Sequence, residues 1–488
     1  MPRSSPFAVV TVAILFAPAA SASQELAFPT LPADAPAGRG VVEPCSHTEL
    51  RGTARCGRFR VYEDRDARAG RTIDIAFVVL NAREPGPPEK DAIIPLPGGP
   101  GETFTDAAVQ IARTMPEAQR RRRDVLLVDV RGVGLSRSLS CAAEYPRGPL
   151  SRFGSLFPLD HAAACRDELT KRATLDRYTT ASSVDDLEEL RRWLGYTSLN
   201  LSGGSYGTRV AQVYMRRHPR AVRTVVLNGV APVDEPLYVQ HAFLLQRALD
   251  RLLAECRSDD ACHTAYPELE RKLARLLARF EDGPIDVRLG TRLVAFSAGD
   301  LSYVLRGLLY GRGGDLPMLI DRATSGELAP LAEYYFERTA WVSEVGGYHF
   351  SVLCAEDIAP LTDEHVARTT RGTFMGDHLI QAYRRVCDLW PYARLPQSHW
   401  QPVASDAPTL LLSGGRDPVT PPEGADVVAR HLPNSLHVVV PNGGHGVGGP
   451  CIQAMITTLF ETARLDGVDR SCVEAAPPTR FRVRAFGN

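Results

Sequence analysis

The sequence has almost no net charge and very little lysine. Its 488 residues carry a formal net charge of −1 at pH 7, which gives no electrostatic reason to expect binding to nucleic acid or to an anionic membrane. Lysine occurs only as Lys90, Lys171 and Lys272, and arginine supplies the other cations. Hydrophobic residues make up 44% and charged residues 23% of the chain, and this ordinary composition predicts a folded globular protein.

The motifs of many cofactor and metal sites are missing as well. The sequence has no phosphate-binding loop ending in Gly-Lys-Ser or Gly-Lys-Thr, no His-Glu-x-x-His motif and no dinucleotide fingerprint. Its cysteines form no Cys-x-x-Cys pair, and no cluster of Cys and His has the spacing of a zinc site. We therefore expect the protein to work without a cofactor and without a metal.

Long apolar runs are missing except near the N-terminus. Arg3 is followed by an apolar run from Phe7 to Phe16 and then by small residues that include Ala20-Ser21-Ala22. This order is typical of a signal peptide, which we place at residues 1–22. The run is shorter than the roughly 20 apolar residues that cross a bilayer. We predict an exported chain, periplasmic or secreted, with no membrane span in its mature part.

Export would also explain the cysteine content. The chain has ten cysteines, and an even number in an oxidising compartment predicts five disulfides. Sequence alone does not fix their connectivity. The most economical pattern joins neighbours in the chain, which pairs Cys45 with Cys56, Cys141 with Cys165, Cys256 with Cys262, Cys354 with Cys387, and Cys451 with Cys472.

Strands and helices alternate through much of the sequence. Short continuous apolar runs such as Ala92–Leu96 and Val125–Val128 are typical of strands that are covered on both faces. The pattern at Ser183–Leu194 predicts a helix, with Ser182 or Ser183 as its N-cap and Gly195 at its end. This alternation predicts an α/β fold with a mostly parallel sheet.

A mainly helical stretch interrupts the alternation. Apolar residues recur at helical spacing from Leu237 to Leu253 and again from Leu269 to Phe280. We predict that the sheet is built from residues 23–232 and from residues 401–488, the second part ending in a C-terminal tail. Residues 233–400 would form a helical cap inserted over the strand ends.

A candidate nucleophile lies between a predicted strand and a predicted helix. Gly203-Gly204-Ser205-Tyr206-Gly207 follows the strand at Leu199–Leu201 and opens a helix. A Gly-x-Ser-x-Gly sequence in that context is typical of a tight turn that exposes a reactive serine. Small residues at 203 and 207 avoid collisions with the adjoining strand and helix. A glycine-rich turn can also be a packing device, so the interpretation depends on a base and an acid elsewhere.

Both partners follow in the order Ser, Asp, His. Asp417 follows the apolar strand Leu410–Leu412, and His445 follows the strand His437–Val440. The ends of parallel strands meet at one edge of a sheet, where Ser205 is also expected. We predict that His445 takes the proton of Ser205, and that Asp417 orients the imidazole and stabilises its charged form. A turn cap at Asp417 and a tolerated loop histidine at 445 are the structural alternatives.

Acyl transfer also needs N–H donors for a developing oxyanion. The backbone N–H of Tyr206, next to the nucleophile, is one predicted donor. The other should come from the turn Pro97-Gly98-Gly99-Pro100-Gly101, where Pro100 has no N–H and Gly99 is our choice. An ordinary Pro-Gly turn is the alternative interpretation of this segment.

Together these motifs resemble the proline iminopeptidase and tripeptidyl aminopeptidase (TAP-like) group of α/β-hydrolases. The resemblance implies the α/β-hydrolase fold and cleavage next to the N-terminus of a peptide, with acidic cap residues holding the free amino group. Iminopeptidases usually have His before the Gly-Gly-Pro-Gly turn and Trp after the nucleophile, where this chain has Pro97 and Tyr206. Strict proline specificity is therefore not expected. The motifs that carry the resemblance are Cys56-Gly57, Gly98–Gly101, Asp129–Ser136, Gly203–Gly207, Gly415-Arg416-Asp417 and Gly444-His445-Gly446.

Glu356 is the residue that we predict to bind the substrate amine. A disulfide at Cys354 would fix it where the cap returns to the core, and a carboxylate there could pair with an ammonium group; a helix cap or a surface pair is the alternative role. The predicted function is an exported serine aminopeptidase that acts through an acyl-enzyme. An exported carboxylesterase with the same triad, acting on a small ester, and a non-catalytic binding protein on the same scaffold remain alternatives. The oligomeric state stays open.

Overall fold

The computed structural model of the chain describes residues 26–84, 86, 88–141, 149–339 and 341–483. The predicted signal peptide at residues 1–22 lies outside these ranges. The strands are β1 (Gly40–Pro44), β2 (Ala54–Tyr62), β3 (Thr72–Leu80), β4 (Asp91–Leu96), β5 (Val125–Val128), β6 (Ser198–Gly204), β7 (Val222–Asn228), β8 (Ile285–Leu289), β9 (Arg292–Phe296), β10 (Thr409–Gly414) and β11 (Ser435–Val440). The helices are α1 (Ala108–Thr114), α2 (Leu159–Leu169), α3 (Thr180–Leu194), α4 (Tyr206–Arg217), α5 (Leu237–Ser258), α6 (Asp260–Ala265), α7 (Leu269–Ala278), α8 (Ala298–Gly311), α9 (Leu316–Thr324), α10 (Ala329–Arg338), α11 (Trp341–Leu353), α12 (Asp363–Thr370), α13 (His378–Cys387), α14 (Pro422–Ala429) and α15 (Pro450–Thr462).

Nine of these strands form one sheet in the order β1-β2-β3-β5-β4-β6-β7-β10-β11. The pairs from β1 to β5 along this order are antiparallel, and every later pair is parallel. The strands β8 and β9 make a separate antiparallel hairpin. The predicted α/β fold with a mostly parallel sheet is confirmed.

The sheet separates two apolar clusters because successive side chains of a strand point to opposite faces. In β4, Ile94 and Leu96 pack into the larger cluster, and Ile93 packs into the smaller one on the other face. Helices α3, α4 and α14 cover the larger cluster, and α1 and α15 cover the smaller one. Such burial on both faces explains why the central strands are continuous apolar runs.

Helix α3 begins earlier than its sequence predicts. The predicted N-cap at Ser182 or Ser183 is wrong: the helix starts at Thr180, and the Thr179 side chain accepts a hydrogen bond from the Ser182 N–H. Threonine is a good N-cap because its hydroxyl pairs with an N–H that has no partner inside the helix. Gly195 ends the helix with a φ of 83°, as predicted.

The chain between β7 and β10 is mainly helical. It contains α5 to α13, the β8–β9 hairpin and a π-helical turn at Cys354–Ile358, and its apolar residues continue the larger cluster of the sheet. In the part of the chain that the structure describes, no helix combines the length and the apolar character needed to cross a membrane.

The predicted disulfide pairing is confirmed for all ten cysteines. The pairs are Cys45–Cys56, Cys141–Cys165, Cys256–Cys262, Cys354–Cys387 and Cys451–Cys472. Each joins neighbours in the chain, and the loops that they close range from 6 to 33 residues in sequence separation. The 33-residue link ties the π-helical turn, which carries Glu356, to the end of α13.

Candidate active site

Ser205 occupies the sharp turn between β6 and α4. Its backbone has φ 52° and ψ −122°, a conformation that is strained for a residue with a side chain. The Ser205 N–H donates to the carbonyl of Asn228, the last residue of β7, at 2.9 Å. The neighbouring strand therefore holds the turn, and the seryl hydroxyl is presented at the carboxyl edge of the sheet.

The glycines on either side of Ser205 are required by close backbone contacts. A Cβ on Gly203 would lie 2.4 Å from the carbonyl oxygen of Gly207, and a Cβ on Gly207 would lie 2.1 Å from that of Leu96. Both distances are far below van der Waals contact. Helix α4 can approach β4 and β6 this closely only because neither position carries a side chain.

His445 and Asp417 are directly hydrogen-bonded. The imidazole Nδ1 lies 2.9 Å from Oδ2 and 3.1 Å from Oδ1 of the carboxylate. Thr420 joins both residues, because its hydroxyl donates to Asp417 Oδ2 at 2.8 Å and lies 3.0 Å from His445 Nδ1. A proton on Nδ1 satisfies this geometry and leaves Nε2 as the basic nitrogen.

The Asp417 carboxylate is held in its charged form. Burial alone would raise the pKa of Asp417, but the hydrogen bond and the charge interaction with His445, together with the N–H groups of Thr420 and Val419, leave that pKa below its ordinary value. Those two N–H groups donate to Oδ1 at 2.8 and 3.0 Å. Asp417 therefore caps its own turn and also contacts the imidazole.

One cavity of about 690 Å³ brings the predicted residues together. Ser205, His445 and Gly99 all line it. Within the described residues, the hydrogen bonds of the imidazole are made by Nδ1, and no hydrogen bond joins the ring to the Ser205 hydroxyl. Contacts between nucleophile and base are often long before substrate binds.

The buried carboxylate of Asp129 stabilises the loop after β4. Asp129 accepts hydrogen bonds from the N–H groups of Phe104 and Thr105 and from the Thr105 hydroxyl. Gly99 has a φ of 105°, which favours glycine. The His349 Nδ1 lies 3.3 Å from the Pro100 carbonyl. The Gly99 turn is therefore fixed on one wall of the cavity.

Tyr206 turns its side chain away from the cavity. Its hydroxyl lies 2.6 Å from the Thr180 hydroxyl, and its side chain is buried. Its backbone N–H belongs to the first turn of α4, where N–H groups have no partner inside the helix. This N–H is next to Ser205, and its role as an oxyanion donor stays a prediction.

Glu356 is buried away from the cavity. Its two carboxylate oxygens accept from the N–H and the hydroxyl of Thr180 at 2.8 and 2.7 Å, and His399 Nε2 lies 3.6 Å away. Glu356 does not line the cavity that contains Ser205. The structure thus places the carboxylate in a network behind Tyr206, a position that differs from the predicted contact with a substrate amine.

Several cavity residues were not found from the sequence. They are Glu102 in the loop after β4, Tyr303, Arg306 and Tyr310 on α8, and Arg338 at the end of α10. The Tyr310 ring packs against the His445 ring with centroids 5.2 Å apart. No motif identifies side chains that a separate helix brings over a strand edge. Among the described residues, no group of three or more His, Cys, Asp or Glu is arranged to hold a metal ion.

Residues 91–448 match the family model of the α/β-hydrolase fold, so the chain belongs to that family. This match and the protease and aminopeptidase relatives described next identify the chain as a serine hydrolase. It is similar to the serine protease Hip1 of Mycobacterium tuberculosis, with 26% identity over 467 residues that cover 84% of this chain and 86% of the relative. Tripeptidyl aminopeptidase of Streptomyces lividans is 24% identical, with 87% and 84% covered. Carboxylesterase B of Mycobacterium tuberculosis is 26% identical, with 89% and 87% covered. The resemblance to the tripeptidyl aminopeptidase group is confirmed.

Proposed function

We propose that the chain is an exported serine aminopeptidase, with Ser205 as nucleophile, His445 as general base and Asp417 as the acid that orients the base. The observation that carries this proposal is that His445, which is hydrogen-bonded to Asp417, lines the same cavity as Ser205. Three separate stretches of chain supply these groups. The strands that precede them, β6, β10 and β11, belong to the parallel part of one sheet, in which β7 lies between β6 and β10.

The proposed reaction has two acyl-transfer steps. The Ser205 hydroxyl attacks the scissile carbonyl carbon and gives its proton to His445 Nε2. The tetrahedral intermediate collapses as His445 returns that proton to the leaving amine, which departs and leaves an ester on Ser205. A water molecule then attacks the ester by the same route, and the acid product and free Ser205 are released.

The N–H groups of Gly99 and Tyr206 are the proposed oxyanion donors. Both would point to the carbonyl oxygen on which negative charge develops. Loss of one such donor in a serine hydrolase typically costs about 2.7 to 4 kcal/mol of activation free energy. The rigid support of the Gly99 loop by Asp129 and of α4 by the contacts around Gly207 favours preorganised donors.

Glu102 is the proposed anchor for the substrate amine. It is the one carboxylate among the described residues that line the cavity, and it lies on the Gly99 loop, where its Oε2 accepts from the Gly98 N–H at 3.0 Å. The Glu102 side chain is exposed to solvent, and it could pair with an ammonium group through a charge-assisted hydrogen bond. The names of two relatives, a serine protease and a tripeptidyl aminopeptidase, support a peptide substrate.

Export of the chain is proposed from two observations. The N-terminal sequence has the order of a signal peptide, and the five disulfides require an oxidising compartment to persist. A periplasmic or secreted location satisfies both.

A carboxylesterase is the second candidate. The same nucleophile, base and oxyanion donors cleave esters, and one relative is named carboxylesterase B. Ester hydrolysis would not need Glu102, because an ester substrate has no obligatory ammonium group.

A substrate comparison tests the proposal. We expect the mature protein to hydrolyse aminoacyl or tripeptidyl p-nitroanilides, and we expect Ser205→Ala to abolish both this turnover and labelling by a fluorophosphonate probe. Glu102→Gln should raise KM for free-amine substrates and leave KM for their N-acetyl counterparts unchanged. Turnover of short acyl esters without any amide turnover would replace the aminopeptidase by the esterase.

A further inference from the structure

Arg306 brings a positive charge into the cavity of the proposed active site. It lies on α8 and lines the same cavity as Ser205 and His445. Its side chain is half-buried. An arginine stays protonated at any pH at which the protein is folded, so this charge is permanent.

The guanidinium has few partners within the protein. Its Nε is shielded from solvent and has no hydrogen-bond partner, and its Nη2 donates to the Tyr310 hydroxyl at 3.2 Å. No Asp or Glu of the described chain forms an ion pair with it. The partly desolvated charge of Arg306 is therefore not compensated by a carboxylate, an arrangement that destabilises the empty protein.

Tyrosine rings form the remaining surroundings. The Arg306 guanidinium carbon lies 4.9 Å from the centroid of the Tyr310 ring and 5.6 Å from that of the Tyr303 ring. Their negative faces attract a cation and keep the planar guanidinium in place. Such packing orients the group and leaves its outer N–H donors available to a ligand in the cavity.

Arg306 lies close to the proposed general base, His445. The Tyr310 ring that contacts Arg306 also packs against the His445 ring, with centroids 5.2 Å apart and planes at 73°. One tyrosine ring therefore separates the guanidinium from the proposed base. Since an extended peptide spans about 3.3 to 3.6 Å per residue, a group bound at Arg306 would lie within about three residues of the scissile bond.

We propose that Arg306 binds a carboxylate of the substrate, so that the enzyme prefers substrates with a carboxylate within about three residues of the bond that it cleaves. The proposal rests on the proposed hydrolytic function of the same cavity. The planar fork of N–H donors matches the two oxygens of a carboxylate. The carboxylate can be an acidic side chain or the C-terminus of a short peptide.

The charges on the cavity wall fit such a substrate. Arg338 is a second cation of the lining and Glu102 supplies negative charge from the Gly99 loop, and both side chains are exposed to solvent. A short peptide carries an ammonium group at one end and a carboxylate at the other, and the cavity offers a partner for each. A neutral or hydrophobic substrate would leave Arg306 without a counter-charge.

The test compares substrates that differ only in the carboxylate. One arm uses tripeptidyl p-nitroanilides that end in Glu or in Gln, and the other uses tetrapeptides with a free or an amidated C-terminus. We expect kcat/KM to favour the carboxylate by about tenfold or more in at least one arm, the ratio that one charge-assisted hydrogen bond supplies. The arm with the preference identifies the source of the carboxylate.

Two variants at position 306 and one control separate recognition from folding. Arg306→Gln should reduce the preference to less than about twofold, whereas Arg306→Lys should keep part of the preference. The preference is a ratio measured within one variant, so it does not depend on how much of that variant is folded. The control Arg338→Gln removes the same charge from an exposed position, where solvent screens it, and should leave most of the preference intact.

Failure of the proposal and failure of the proposed function give different results. Equal turnover of both members in each arm, or a preference that survives in Arg306→Gln, overturns the proposal while peptide cleavage stands. Calorimetric titration of the C-terminally amidated peptides Ala-Ala-Glu and Ala-Ala-Gln, which differ only in the side-chain carboxylate, into Ser205→Ala measures binding without turnover. Tighter binding of the Glu peptide that is lost in the Ser205→Ala, Arg306→Gln double variant supports the carboxylate site even if no peptide is cleaved.

Discussion

The imidazole Nδ1 of His445 lies 2.9 Å from the Asp417 carboxylate, although the two residues follow different strands of the sheet. This contact fixes which ring nitrogen carries the proton, because an ionised carboxylate can only accept a hydrogen bond and Nδ1 must therefore be the donor. The second nitrogen is then the one that can accept the proton of Ser205.

Asp417→Asn should lower kcat by about 10⁴-fold, the size of effect found when the equivalent acid of a serine protease triad becomes an amide. The amide would favour the wrong tautomer of His445 without changing the size of the side chain. Steady-state turnover of the best p-nitroanilide measures the effect. Thr420→Val is the control, since it removes a neutral partner of the same imidazole; a loss below about tenfold for the Asn variant would contradict the role of Asp417.

The tight packing of α4 against β4 yields a prediction about stability. Gly207→Ala would place a Cβ 2.1 Å from the Leu96 carbonyl oxygen, and overpacking of this kind typically costs about 1 to 3 kcal/mol in the free energy of unfolding. Gly204→Ala is a matched control, because a Cβ there meets no other atom within 4 Å. Urea denaturation of both variants measures the difference, and equal stabilities would show that the turn can open without cost.

Several features of the fold and of the site could be predicted from the sequence. The turn at Ser205, the strand ends before Asp417 and His445, and the disulfides between neighbours all depend on local patterns or on the edge shared by parallel strands. The N-cap of α3 is Thr179 and not the predicted Ser182 or Ser183, because four hydroxyl residues between 179 and 183 fit the same capping pattern. Local propensity cannot choose among them.

Residues that tertiary packing brings to the cavity could not be predicted from the sequence. Arg306 and Tyr310 lie more than a hundred residues from Ser205 and reach the cavity through the packing of α8 over the strand ends. The sequence favours Glu356 because it lies near Cys354, and the disulfide of Cys354 is present. The turn of the backbone nevertheless aims its carboxylate at Thr180, and only tertiary structure determines that direction.

Glu356→Gln should therefore act on stability more than on amine recognition. Burial raises the pKa of Glu356, but the nearby His399 and the two donors of Thr180 leave it below its ordinary value, so the network holds a carboxylate. Loss of this charge should destabilise the fold by about 1 to 3 kcal/mol. The ratio of kcat/KM for free-amine and N-acetyl substrates should stay unchanged, whereas Glu102→Gln should reduce it. A reduced ratio in Glu356→Gln would restore the amine-binding role that the sequence suggested.

The buried imidazole of His349 leads to a prediction of how the free energy of unfolding depends on pH. Burial lowers the pKa of His349 from 6.5 to about 4, so the folded protein keeps this imidazole neutral in a range where the unfolded chain protonates it. Stability from this residue is fully present above about pH 6.5 and declines as the pH falls toward about 4. The decline should reach about 3 kcal/mol in the free energy of unfolding, since each pH unit contributes about 1.4 kcal/mol for one proton.

His349→Asn isolates this contribution. Asparagine cannot take up a proton, and its amide can donate to the Pro100 carbonyl in place of Nδ1. Other groups titrate alike in both proteins, so the difference between their unfolding free energies reports on position 349 alone. We expect urea denaturation to give the wild type its largest advantage at pH 7.5 and a shrinking one at pH 5.5 and 4.5. A difference that stays constant over this range would mean that His349 is protonated equally in the folded and unfolded chains.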